Sequence, residues 1–130
     1  MRKYVAIGVG GVLGSLARYS FVMMMPAVGG VMAIALVNVL GAFLLGFLGT
    51  KRLALRRTLY LGMTTGFLGA FTTFSTLCLT IDAGLARHTA AALVLSGLSV
   101  ALGLAAAAAG GWLGRGVPSL PATDVQETSL

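Results

Sequence analysis

Three features of this 130-residue chain place chemistry-capable residues in apolar surroundings. Arg18 lies inside a long apolar run, where a guanidinium at mid-membrane costs at least about 2.5–3.5 kcal/mol unless it snorkels to the surface. Asn38 is the only amide in the apolar runs and falls near the middle of the second. An amide is seldom left facing lipid, so Asn38 either bridges helices or faces a polar path. The third feature is the sequence G-F-L-G-A-F-T-T-F-S-T at 66–76. It is poor helix material in the middle of a third apolar run. Its glycines tolerate a break, and Thr72, Thr73, Ser75 and Thr76 offer hydroxyls that can replace lost backbone bonds. Interrupted helices of this kind aim carbonyls at cations and N–H groups at anions. Thr72, Thr76 and Thr80 share one helical face, and Phe67, Phe71 and Phe74 form an aromatic stripe whose ring edges attract an anion mildly.

Other chemistries lack their residues. No Asp or Glu lies inside an apolar run, except Asp82 at the end of one. A proton-coupled four-helix drug exporter, which needs an intramembrane carboxylate, is therefore disfavoured. No nucleophile–base pair or metal-ligand set can be assembled, so the chain is not read as an enzyme. Gly8 and Gly10 begin a G-x-G-x-x-G pattern, but Leu13 stands where its last glycine belongs, and no acidic residue follows at the right distance. His88 is a loop residue, Cys78 a small packing residue, and an Asp82–Arg87 pair at the surface contributes little. A passive pathway lined by Asn, Arg, hydroxyls and aromatic edges remains. Such groups suit a small anion.

These residues must be held by membrane-spanning helices. The composition is 58% hydrophobic and 9% charged, with a mean hydropathy of +0.98. Twelve charged residues cannot coat a soluble globule of this size. Four apolar runs at about 4–25, 30–49, 59–81 and 89–113 each approach the ~20 residues that a membrane span needs. They make residues 1–115 one channel domain, all-α with a broken third helix, and 116–130 a disordered tail. Short connections make neighbouring helices antiparallel. Gly10 and Gly14, like Gly62 and Gly66, have the i, i+4 spacing that lets helices approach closely. Arg2 and Lys3 before an apolar run resemble a signal peptide with a small-x-small site at Ser15 to Ala17. Three further spans argue against cleavage.

The net charge of +6 does not point to nucleic acid, because the cations sit in the breaks between spans. Arg2, Lys3, Lys51, Arg52, Arg56, Arg57 and Arg115 fall on one side, against Arg18 and Arg87 on the other. The positive-inside rule then places both termini in the cytoplasm, and argues against a chain that inserts equally well both ways.

Three stretches together resemble the CrcB/Fluc family of fluoride channels: G-G-V-L-G-S-L-A-R-Y at 10–19, V-N-V-L-G-A-F-L-L-G at 37–46, and the run at 66–76. The resemblance implies passive fluoride efflux across a bacterial inner membrane, through a dimer of antiparallel subunits with a central structural Na⁺ and two pores. By matching position, Gly69 and Thr72 would give backbone oxygens to Na⁺. Asn38 would donate to fluoride, Phe74 would be one of two pore phenylalanines, and Arg18 the arginine of the first span. Ser75, Thr76 and Ser99 would add pore hydroxyls. The chain departs from the family where Leu77 replaces the second phenylalanine, Cys78 a serine, Thr80 a glutamate and Leu95 a tyrosine. These losses and the charge bias suggest a subunit that pairs with an oppositely oriented homologue carrying the missing residues, one that conducts through a single pore or only supports its partner.

Overall fold

The computed structural model describes residues 1–26, 30–50, 56–73, 75, 78 and 89–116. Among these every regular element is helical. α1 is Arg2–Met23, α2 Gly30–Thr50, and α5 Thr89–Gly116. Between α2 and α5 a third rod is built from α3 (Arg57–Leu61), a π-helical stretch Gly62–Leu68 and α4 (Gly69–Phe71). α1, α2 and α5 contain segments long and apolar enough to cross a membrane. A helix satisfies its backbone internally, as hydrocarbon surroundings require. The connections at 27–29, 51–55 and 81–88 and the tail at 117–130 lie outside the described residues.

Close approach is made by glycine. A Cβ on Gly10 would run into the Gly62 carbonyl oxygen, and one on Gly14 into that of Phe67. The expected small-residue contacts therefore seat α1 on the third rod. A second pair, α2 with α5, closes where Gly46 meets the Ala107 carbonyl and Gly110 that of Phe43. With no hydrophobic drive between helices in lipid, such backbone proximity supplies the packing energy. Gly110→Leu is expected to destabilise the α2–α5 pair by about 1–3 kcal/mol, the usual cost of overpacking. Gly97→Leu, on the same helix with open space beside it, should be near neutral. Unfolding titrations in detergent would compare the two.

The pairings give helix directions. Ala6 lies against Gly62, Gly14 against Phe67, and Phe21 edge-on to Phe71, so α1 and the third rod run parallel. Gly110 meets Phe43 and Gly114 meets Phe47, so α2 and α5 are also parallel. Asn38 meets Thr73 while Gly41 meets Thr72, which makes α2 antiparallel to the third rod. Helices consecutive in the chain therefore run antiparallel, as their short connections lead one to expect, while the pairs that pack most tightly are not consecutive. Glycine contacts make the tightest pairs between helices one and three and between two and four, which cross in the same direction. The starts of α1 and α3 and the ends of α2 and α5 share one end, with Arg2, Lys3, Arg56, Arg57 and Arg115.

The core is small. Val37, Leu68 and Phe71 are buried, and the Phe71 ring stacks on Phe67 with centroids 5.7 Å apart. These two members of the aromatic stripe pack against each other. Large apolar side chains such as Leu16, Tyr19, Leu104 and Trp112 are exposed, a surface suited to lipid.

Candidate functional site

The third rod loses its helical geometry at Thr72, whose φ of −78° and ψ of 147° are extended. Up to that residue the ladder is intact, since the Thr72 N–H donates to the Leu68 carbonyl at 3.0 Å. The Thr72 hydroxyl donates to the same carbonyl at 2.9 Å. Beyond it the backbone turns to α2. The Thr73 N–H donates to Asn38 Oδ1 at 2.8 Å, and Asn38 Nδ2 donates to the Thr73 carbonyl at 3.0 Å. One amide side chain thus satisfies both backbone groups of a residue buried in an apolar interior, where an unmade bond costs roughly 1–3 kcal/mol. Gly41, three residues along α2, lets Thr72 lie against that helix, its absent Cβ coinciding with the Thr72 methyl.

An open cleft of about 390 Å³ begins at this break and runs between α2, the third rod and α5. Its walls are mostly apolar; Asn38, Thr64, Thr72 and Ser99 are the lining residues with polar side chains, and Gly69 lines it beside them. The hydroxyl hydrogens of Thr64 and Thr72 are committed, to Tyr60 O at 2.7 Å and Leu68 O at 2.9 Å. Each hydroxyl therefore has only lone pairs left to offer, which suits a cation. Asn38 supplies the opposite polarity. It has two Nδ2 hydrogens, and among the described residues Thr73 takes one of them. No group of three His, Cys, Asp or Glu side chains gathers among the described residues, so a cation in the cleft would rest on neutral oxygens.

A family model described as "CrcB-like protein, Camphor Resistance (CrcB)" matches residues 5–111. The chain belongs to the CrcB family. A CrcB relative from Synechococcus sp. (strain CC9605), named fluoride-specific ion channel FluC 2, is 46% identical over 110 residues, covering 84% of this chain and 78% of its own length. One from Deinococcus radiodurans, named fluoride-specific ion channel FluC, is 42% identical over 119 residues, covering 83% of this chain and 91% of its own. Another of that name, from Chlorobaculum tepidum, is 45% identical over 83 residues, covering 58% of this chain and 64% of its own.

Of the CrcB residues singled out in the sequence, Asn38, Gly69, Thr72 and Ser99 meet in the cleft. Ser75 is exposed, its Oγ 3.3 Å from the Thr73 Oγ1. Arg18 is not brought to the cleft. It is half-buried on α1, five residues before that helix ends and so about 8 Å along the axis from the end, within snorkelling range. Phe74, Thr76, Leu77, Thr80, Asp82, Arg87 and His88 lie outside the described residues, as does the Leu95 side chain. Thr64 is the cleft residue that sequence reasoning missed. Its signal was the spacing Thr64, Leu68, Thr72, which carries the threonine stripe two turns back.

Proposed function

We propose that the chain is a subunit of a fluoride-specific channel that lets fluoride leave the cell passively and so lowers its cytoplasmic concentration. The observation that carries this is the clamped break: Asn38 fixed on Thr73 at the edge of a cleft, with one Nδ2–H that no described residue takes. Fluoride is small and strongly hydrated, so it enters a narrow path only where fixed donors replace its water. The relatives named fluoride-specific channels support the choice of ion.

In this proposal the residues after the break complete the third of four spans, and two subunits pair antiparallel in a bacterial inner membrane with the termini in the cytoplasm. Asn38 donates to fluoride, Ser99 continues the polar path, and Phe74, Ser75 and Thr76 follow the break. Arg18 serves the mouth of the path. A structural Na⁺ fits the cleft side of the break, where the Gly69 carbonyl and the Thr72 oxygens are acceptors without hydrogens to offer. Such an ion supplies positive charge that holds two broken helices together and draws an anion.

Fluoride efflux from liposomes holding this chain, alone or beside an oppositely oriented homologue, followed with a fluoride electrode, tests the function. Fast efflux that excludes chloride is expected from at least one of the two samples, with Phe74→Ala reducing it and leaving assembly intact. The gathering of five cations at one end favours a second reading, in which the chain inserts one way and needs an oppositely oriented homologue. Silence alone with efflux beside such a homologue would select that reading. Silence in both samples overturns the channel.

A further inference from the structure

In an unbroken α-helix the Thr73 N–H would donate to the carbonyl four residues back, that of Gly69. Here the preceding rung is made, Thr72 to Leu68 at 3.0 Å, and the next is intercepted, because the Thr73 N–H goes to Asn38 Oδ1 at 2.8 Å. The return bond from Asn38 Nδ2 to the Thr73 carbonyl, 3.0 Å long, fixes the other backbone group of the same residue. Two bonds from one side chain cannot both survive if the rung closes again.

We propose that Asn38 is a positioning residue for the helix break. By capturing the Thr73 N–H it strips the Gly69 carbonyl of its helical donor, and so leaves that oxygen as a cation ligand. The final clause rests on the cation proposed above, while the capture itself does not. Desolvation explains why an amide is needed. Breaking the rung without it would strand the Thr73 N–H in an apolar wall. Asn38 presents an acceptor and a donor on one planar group, matching the two exposed backbone groups of one residue. Leucine matches its size and offers neither.

The same amide faces both polarities of the cleft. Oδ1 and one Nδ2–H are held by Thr73, so the remaining Nδ2–H has a fixed direction. Asn38 therefore ties the place where a cation would sit to the place where an anion would be met.

The test uses the isotope-labelled full chain in lipid nanodiscs. A through-hydrogen-bond coupling between the Thr73 amide nitrogen and the Asn38 side-chain carbonyl carbon is expected in the unsubstituted chain. In Asn38→Leu the Thr73 amide should exchange about tenfold faster, as losing one buried hydrogen bond implies. The Na⁺ concentration that half-protects the amides at 69–73 should rise by about the same factor. Asn38→Asp, which keeps an acceptor for the Thr73 N–H, should hold exchange within about threefold of the parent. No coupling in the parent, or slow Thr73 exchange in Asn38→Leu, overturns the capture. An unchanged Na⁺ midpoint in Asn38→Leu overturns the link to the cation. A chain that shows the coupling and passes no fluoride, either alone or beside an oppositely oriented homologue, upholds the positioning role and sinks the channel proposal instead.

Discussion

Gly41→Val is expected to cut fluoride efflux about a hundredfold or more, with the protein still present in the membrane at parental level. The position is buried, and a side chain there would first meet the Thr72 methyl. Thr72 cannot turn aside cheaply. Its hydroxyl is bonded to the Leu68 carbonyl and its N–H to the same oxygen, so the methyl is fixed at the moment the backbone leaves the helix. α2 must then draw back, and Asn38, one turn away on the same helix, draws back with it. Bonds of 2.8 and 3.0 Å fail with a shift of an ångström. The overpacking itself costs about 1–3 kcal/mol, whose upper end corresponds to a hundredfold. The flux falls further because the Asn38 donor loses its aim. Gly49→Val is the matched control, since that glycine also lies on α2 and has open space around it. Fluoride-electrode efflux, normalised to reconstituted protein, reads both. Parental flux in Gly41→Val would mean that the Thr72 contact with α2 does not hold the pathway.

The helix break was legible because its residue types are wrong for where they stand. A glycine- and threonine-rich stretch in mid-span has no packing reason to be so polar, and the structure leaves the helix at Thr72 within it. Asn38 was legible as a residue that must have a partner, but not which one. Nothing in residue type predicts that both its bonds go to the backbone of Thr73, 35 residues away. The glycine pairs announced close contact, yet spacing on one helix does not say which other helix it meets. That is why parallel packing of the first helix on the third had to come from the structure. The π-helical stretch 62–68, which packs on α1 through Gly62 and Gly66, left no signal in residue type. Thr64 was passed over for a related reason. A threonine in a helix ordinarily bonds back to a carbonyl, as this one does to Tyr60, and only the cleft beside it gives its oxygen a further use.

The largest effect outside the cleft is expected on orientation. Expressed alone, the chain should place its C-terminus in the cytoplasm by about ten to one or better, as a strong positive-inside bias requires. Helix directions gather Arg2, Lys3, Arg56, Arg57 and Arg115 at one end, while Arg18 lies towards the other end of α1. Every described cation near a helix start or finish at the first end therefore votes the same way, and among the described residues no acidic side chain stands beside them. Changing Arg2, Lys3, Arg56 and Arg57 to glutamine and Met24 and Met25 to lysine should bring the ratio near one. Paired C-terminal reporters, one active only inside the cell and one only outside, measure it. An equal ratio for the unsubstituted chain would allow one sequence to supply both halves of an antiparallel pair. A fixed orientation forbids that, because the second half must enter the membrane the other way round. The break, the Asn38 clamp and the cleft are complete within one subunit, and under the proposed antiparallel pairing a fixed orientation would still call for a partner whose charge is distributed in reverse.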